Sequence, residues 1–97
     1  MTVYELKDRL NLEQSVHIVD VRTEIEFHTF NIGGENIPLG RLIGGISEFD
    51  FDKDKELIVL CQRGLRSETA RRVLVSQGYE NVKNLQGGLL AWRKAGY

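Results

Sequence analysis

Residues 56–61, ELIVLC, place four consecutive apolar side chains directly ahead of a cysteine, with no polar residue alternating among them. A strand of that kind has no face to give to water, so both faces must be covered. Residues 16–21, VHIVDV, form a second short β-branched run bounded by polar residues and read the same way. Fully covered strands belong to parallel sheets with helices packed on them, and the segments between these runs carry helical patterns. The sequence therefore predicts an α/β sandwich around a mostly parallel sheet. In such sheets ligands bind beyond the carboxyl ends of the strands. Two segments bring chemistry there: Asp20-Val21-Arg22 after one strand and Cys61 to Ser67 after the other.

The rest of the chain fits around that sheet. Val3, Leu6 and Leu10 recur at helical spacing, Thr2 with Glu5 has the form of a capping box, and Asn11 is a plausible stop. A strand before this helix would have only Met1 to Val3 to work with. Residues 23–30 predict a short helix ended by Gly33 and Gly34. Ile37 to Leu39 holds at most a short strand, placed at a sheet edge by Pro38. Leu42 to Phe49 reads as a helix weakened by Gly44 and Gly45 inside it. Residues 50–55 form a charged loop. From Ser67 a helix is expected, capped by Ser67, with Ala70, Val73, Leu74 and Gln77 inward and Gly78 as its stop. Val82 to Leu85 predicts a short strand, and Gly87-Gly88 turns into a last helix that buries Leu89 and Trp92. Without repeat, linker or low-complexity stretch, residues 1–97 are expected to form one domain.

The segment Cys61-Gln62-Arg63-Gly64-Leu65-Arg66-Ser67 joins a buried strand to a helix start. Gly64 can take a positive φ, which lets the loop curl until its N–H groups point inward. The helix start adds partial positive charge and free N–H donors, and two arginines flank the turn. These are surroundings that lower the pKa of a cysteine. They predict a thiolate nucleophile in an anion cradle. Against this stands the ordinary role of a lone cysteine at a strand end, an inert core residue.

The same loop resembles the CxxGxRS active loop of the rhodanese-like sulfurtransferases. The resemblance runs along nearly the whole chain. HIVDVRTEIEF is similar to the family's strand with its DVR tripeptide, and NIGGENIPL to its glycine-rich turn and NIP strand. GYENVKNLQGGLLAWRKAGY is similar to its closing segment, in which a GG turn precedes an AW-containing helix. The family implies a three-layer α/β/α fold with a four- to five-stranded, mostly parallel sheet. It implies transfer of sulfane sulfur through a Cys61 persulfide, from a donor such as thiosulfate to a thiophilic acceptor. In that reading Gln62, Arg63, Gly64, Leu65, Arg66 and Ser67 hold the sulfur, and neither cofactor nor metal is used. Partners would be small sulfur donors and acceptors, or a protein that gives or takes a persulfide, acting on a monomer.

Asp20 and Arg22 admit two readings, direct substrate contact or a scaffold that holds neighbouring loops. Arg66 either holds an incoming anion or pairs with a carboxylate to brace the loop. Arg63 reads as solvent-facing, where it either draws in anionic donors or is a plain solvated charge. Thirteen Lys and Arg against fourteen Asp and Glu lack the basic excess of a nucleic-acid binder. One cysteine excludes an internal disulfide, and one cysteine with two histidines argues against a structural zinc site. The absence of an apolar run near 20 residues and of a signal-like h-region leads to an expectation of no membrane role and a cytoplasmic location. Three other functions share these features. A cysteine-loop phosphatase has five residues between Cys and Arg, whereas four separate Cys61 from Arg66, a ring better sized for one sulfur atom. A non-enzymatic binding module of the same fold is the second, and the sulfur-carrying part of a larger protein is the third.

Overall fold

The computed structural model describes residues 1–97. Four strands, β1 (Ile18–Asp20), β2 (Glu35–Asn36), β3 (Leu57–Leu60) and β4 (Val82–Asn84), pair in the order β2-β1-β3-β4, every pair parallel. The helices are α1 (Val3–Asn11), α2 (Glu24–Thr29), α3 (Leu39–Gly44), α4 (Leu65–Ser76) and α5 (Gly88–Lys94), with a 3₁₀ turn at Ile46–Glu48. From β1 the chain steps outward to β2 and then crosses back to β3, so β1 and β3 lie side by side where the winding reverses. Their carboxyl ends diverge there and leave a crevice.

Alternation along the strands divides the core. Val19, Val21, Leu57, Val59 and Cys61 pack on one face with Leu42 of α3, Ala70 and Leu74 of α4, and Tyr79. Ile18, Ile58 and Leu60 face the other way, against Val3 and Leu6 of α1 and Leu89 and Trp92 of α5. The result is the expected α/β/α sandwich. β3 is buried along its whole length because it lies inside the sheet with helices on both sides. Each fully buried Leu or Ile contributes about 1.5–3 kcal/mol through water removal.

Several expected boundaries shift for physical reasons. The capping box at Thr2 and Glu5 forms and α1 runs to Asn11. No strand precedes it. Met1 instead donates its ammonium to the Asn84 carbonyl (3.1 Å) and accepts the Gln86 N–H (2.8 Å), a single residue of pairing beside β4. The edge strand falls at Glu35–Asn36 rather than at Ile37–Leu39, because Pro38 has no N–H and stands at the N-cap of α3. The N–H groups of Ile37 and Leu39 still bond the carbonyls of Asp20 and Val21 (3.0 Å each). The helix expected over Leu42–Phe49 is two pieces, α3 and the 3₁₀ turn, divided at Gly44-Gly45 where helix propensity is lowest. α4 starts at Leu65, ahead of the predicted cap. Its inward stripe is Ser67, Ala70 and Leu74, with Val73 half-buried and Gln77 exposed at the C-cap.

Candidate active site

β3 delivers Cys61 to the crevice, and the loop then curls back over the thiol. Cys61 is 1% exposed, and its Sγ accepts the N–H groups of Gly64 (3.0 Å) and Ser67 (3.4 Å), with Ser67 Oγ at 3.3 Å. The loop's carbonyls explain why its N–H groups face the sulfur. Cys61 O takes the N–H of Leu89 and Gln62 O that of Leu90, each at 3.0 Å, in the first turn of α5. Gly64 O takes Asn84 Nδ2 at 3.0 Å. With the carbonyls drawn outward, the peptide N–H groups are left pointing in. Gly88 permits the approach of α5, since a Cβ there would collide with the Cys61 carbonyl oxygen.

Gly64 has φ 88° and is the N-cap of α4, where it offers no side chain. The cap of an α-helix ordinarily supplies an oxygen to the N–H of the third helical residue. That residue is Ser67, and its N–H goes to Cys61 Sγ. The sulfur thus stands where a capping oxygen would be, and Ser67 is a buried first-turn residue rather than the cap the sequence suggested.

Burial pushes the Cys61 thiol up, but the Ser67 hydroxyl and the N–H groups of Ser67, Arg63 and Gly64 outweigh it, and the thiol titrates below its ordinary range. The crevice above it is an open pocket of about 260 Å³ lined by Glu26, Cys61, Gln62, Arg63, Leu65 and Arg66. Arg66 directs both prongs of its guanidinium at Glu26, Nη1 to Oε1 at 2.7 Å and Nη2 to Oε2 at 2.9 Å. That fork holds the Glu26 carboxyl down to about 2, against burial, with help from Thr23, and raises Arg66 in turn. Arg63 is exposed and has no carboxylate partner.

Asp20 and Arg22 are not among the lining residues. Arg22 donates Nε to both carboxylate oxygens of Asp20 (3.0 and 3.1 Å) and Nη2 to Oδ2 (2.7 Å), with 3% and 1% of the two side chains exposed. Its remaining N–H groups reach the carbonyls of Glu26 (3.3 Å) and Phe30 (2.6 Å), which ties α2 to the end of β1. Nowhere do three or more His, Cys, Asp or Glu side chains gather as a metal cage.

Sequence reasoning missed Glu26, Asn84 and Gly88. Glu26 carries a signal only for the start of α2, as the partner of Thr23 in a capping box. Its pairing with a residue 40 positions away depends on how α2 lies across the crevice. Asn84 is a polar residue at the carboxyl end of a strand, which is the signal that could have found it.

The rhodanese-like domain family matches residues 2–95. The chain is 36% identical over 88 residues to the thiosulfate sulfurtransferase GlpE of Shewanella oneidensis, covering 84% of this chain and 80% of that protein. It is 30% identical over 95 residues to a probable adenylyltransferase/sulfurtransferase MoeZ of Mycobacterium tuberculosis, covering 97% of this chain but 24% of that longer protein. The rhodanese-like domain of the Alr3790 protein from Anabaena superposes with a TM-score of 0.86 at 28% identity, over 99% of this chain and 74% of that one. A sheet wound this way, a cysteine loop cradled at its switch point and a family match along almost the entire sequence agree: the chain belongs to the rhodanese-like domain family, among relatives named as sulfurtransferases.

Proposed function

We propose that this protein transfers sulfane sulfur through a persulfide on Cys61. The observation that carries the reading is the placement of Cys61 Sγ as the common acceptor of the Gly64 and Ser67 N–H groups at the floor of an open pocket. The Cys61 thiolate attacks the outer sulfur of thiosulfate. The new S–S bond forms as the bond to the sulfonate sulfur breaks, and sulfite leaves with the electron pair. A thiophile such as cyanide or a thiolate then attacks the outer sulfur of Cys61-S-S⁻ and restores the Cys61 thiolate. The sulfur moves already at the sulfane level and each leaving group takes the electron pair of the bond that breaks, so no external oxidant is required. The preorganised N–H groups stabilise the anion, and their fixed aim is where such loops gain rate. The same N–H groups and the Ser67 hydroxyl hold the thiol below its ordinary range, which favours the thiolate that this attack requires without a neighbouring general base. A reducing compartment such as the cytoplasm keeps a lone thiol available. A persulfide-carrying protein partner fits the pocket's openness equally well as donor or acceptor.

The phosphatase alternative is disfavoured by Arg66. In a cysteine-loop phosphatase the arginine closes the ring over the phosphate, whereas here both prongs are on Glu26. The deciding measurement is intact mass after thiosulfate and then cyanide. A gain of one sulfur on the protein, lost as thiocyanate and absent in Cys61→Ser, is expected. Substantial sulfur transfer by Cys61→Ser, or aryl-phosphate turnover by the native chain that Cys61→Ser abolishes, would overturn the reading.

A further inference from the structure

The Ser67 hydroxyl has two neighbours and one hydrogen. Its Oγ lies 3.3 Å from Cys61 Sγ and 2.6 Å from Asn84 Oδ1. The orientation of the Asn84 amide is fixed by its other end, where Nδ2 donates to the Gly64 carbonyl at 3.0 Å. Turning the amide over would set two carbonyl oxygens against each other at that distance, so Oδ1 faces Ser67. An amide oxygen only accepts. The bond at 2.6 Å therefore uses the serine hydrogen, and Ser67 Oγ presents a lone pair to the sulfur. In that arrangement a protonated Cys61 donates its S–H to Ser67, giving a relay from thiol to hydroxyl to amide oxygen. A Cys61 thiolate has no hydrogen to give. The serine hydrogen then turns toward the sulfur, and Asn84 Oδ1 loses its donor in a half-buried site. Asn84 and the thiolate compete for one hydrogen.

We infer that Asn84 is a positioning residue that acts on Cys61 through the Ser67 hydroxyl, drawing its hydrogen to Asn84 Oδ1 except when the sulfur is a thiolate. This rests on the reading of Cys61 as the sulfur carrier. Over the proposed cycle the hydroxyl then alternates. When sulfur is loaded, Sγ becomes the inner, two-bonded sulfur and the hydrogen returns to Asn84. When the acceptor attacks the outer sulfur, Sγ departs with the electron pair of the S–S bond and draws the hydrogen back. The hydrogen bond is made as negative charge develops on the leaving sulfur, so it favours transfer over the loaded resting state.

The same geometry gives Asn84 a second, independent duty through Gly64, and the test must divide the two. Iodoacetamide alkylation rate against pH, on unloaded protein, reads the Cys61 thiolate whether or not that thiol ever carries sulfur. Failure here is thus distinct from failure of the sulfurtransferase reading. The four proteins of the cycle are native, Asn84→Ala, Ser67→Ala and the double variant. With Ser67 present, Asn84→Ala removes the competitor for the serine hydrogen and is expected to lower the alkylation midpoint, relative to the same change made in Ser67→Ala, by up to about one pH unit, the worth of the neutral Ser67–Asn84 hydrogen bond that the thiolate no longer has to break. With Ser67 already alanine, the same substitution is expected to leave the midpoint unlowered. Equal shifts in both backgrounds would mean that Asn84 acts only by tethering Gly64 and would reject the inference, as would a midpoint that falls less, or rises more, with Ser67 present than with alanine there. If Asn84→Ala does not fold, the near-isosteric Asn84→Asp carries the test with opposite sign. A carboxylate takes the hydrogen more strongly, so the midpoint should rise by more with Ser67 than with Ala at that position, and an equal rise would overturn the relay.

Discussion

Two arginine–carboxylate pairs lie at the carboxyl end of this sheet, and they differ in nearly everything but chemistry. Asp20 and Arg22 are two residues apart and buried, and the guanidinium reaches beyond its partner to the carbonyls of Glu26 and Phe30. Glu26 and Arg66 are 40 residues apart and sit at the pocket rim with 33% and 39% of their side chains exposed. The two act in series. Arg22 grips the carbonyls of Glu26 and Phe30 and so sets α2, and α2 then presents the Glu26 carboxylate to Arg66 where loop becomes helix. The inner pair fixes an element, and the outer pair uses that element to fix a loop. The comparison teaches that the charges nearest a reactive sulfur need not be the ones that hold the fold.

Breaking the inner pair gives the largest expected effect. Arg22→Met leaves the Asp20 carboxylate buried with its guanidinium gone, and removing one partner of a buried pair costs about 3–5 kcal/mol. Against a total stability of about 5–15 kcal/mol for a domain of this size, the chain should unfold at markedly lower urea. Replacing both partners, Asp20→Asn with Arg22→Met, should cost less than the single change because no lone charge remains. A loss under about 1 kcal/mol for Arg22→Met would place this pair with the surface ones.

The outer pair should divide activity from stability. Arg66→Lys keeps the charge but not the planar fork. Stability should fall by no more than about 1 kcal/mol, the range of an exposed pair. Turnover should fall about tenfold or more, because a small displacement of the loop N–H groups is costly at a site of this kind. The Cys61 alkylation midpoint should rise alongside. Near-normal turnover and an unchanged midpoint, with only the donor KM shifted, would show that Arg66 attracts substrate instead of bracing the loop.

A smaller effect separates the pairs by pH. The Glu26 carboxyl is held at about 2 in the folded chain, below its ordinary value. A depressed carboxyl contributes stability that is complete above its unfolded pKa, about 4.3, and lost as pH falls through the folded value. The difference in urea midpoint between the native chain and Glu26→Gln should therefore hold from neutral pH down to about 4.5 and close as pH approaches 2. A difference that persists unchanged at the acid end would mean that Glu26 supports the loop by shape and not by charge.

These devices were unevenly legible in the sequence. The strand ELIVLC, the Ala70 and Leu74 part of the helix stripe and the cysteine loop all rest on local pattern, and local pattern is what a sequence displays; Gln77, expected in that stripe, is exposed. The resemblance over four segments then supplied the three-layer arrangement and the strand count, but not the order in which the strands pair. What stayed hidden depends on contacts between distant segments. Nothing adjacent to Glu26 announces Arg66, and nothing near Asn84 announces Ser67. The pattern makes Ser67 a cap, because serine before a helical run ordinarily is one. The structure gives that duty to the sulfur, since the loop curls one turn sooner through Gly64, and the serine is carried inside. The division of Leu42–Phe49 was foreshadowed by its glycines, but the earlier start at Leu39 follows from Pro38 being set by the edge pairing to β1.

Arg63 is the control for both pairs, and its effect should be the smallest. It lines the same pocket as Arg66 yet is exposed and has no carboxylate partner. With nothing to hold, it can act only as a charge at the entrance, and such charges alter encounter with anionic ligands more than chemistry. Arg63→Gln should leave the thiol titration and the urea midpoint unchanged. It should raise the KM for thiosulfate about two- to fivefold at low ionic strength, and that difference should shrink as salt is added, since screening lengths fall to about 8 Å at 0.15 M. A neutral or uncharged acceptor should show no such change, because there is no charge for Arg63 to draw. If Arg63→Gln instead lowers turnover at saturating donor by as much as Arg66→Lys does, independently of salt, Arg63 belongs to the cradle. Bracing would then not be the property that distinguishes one arginine of the loop from the other.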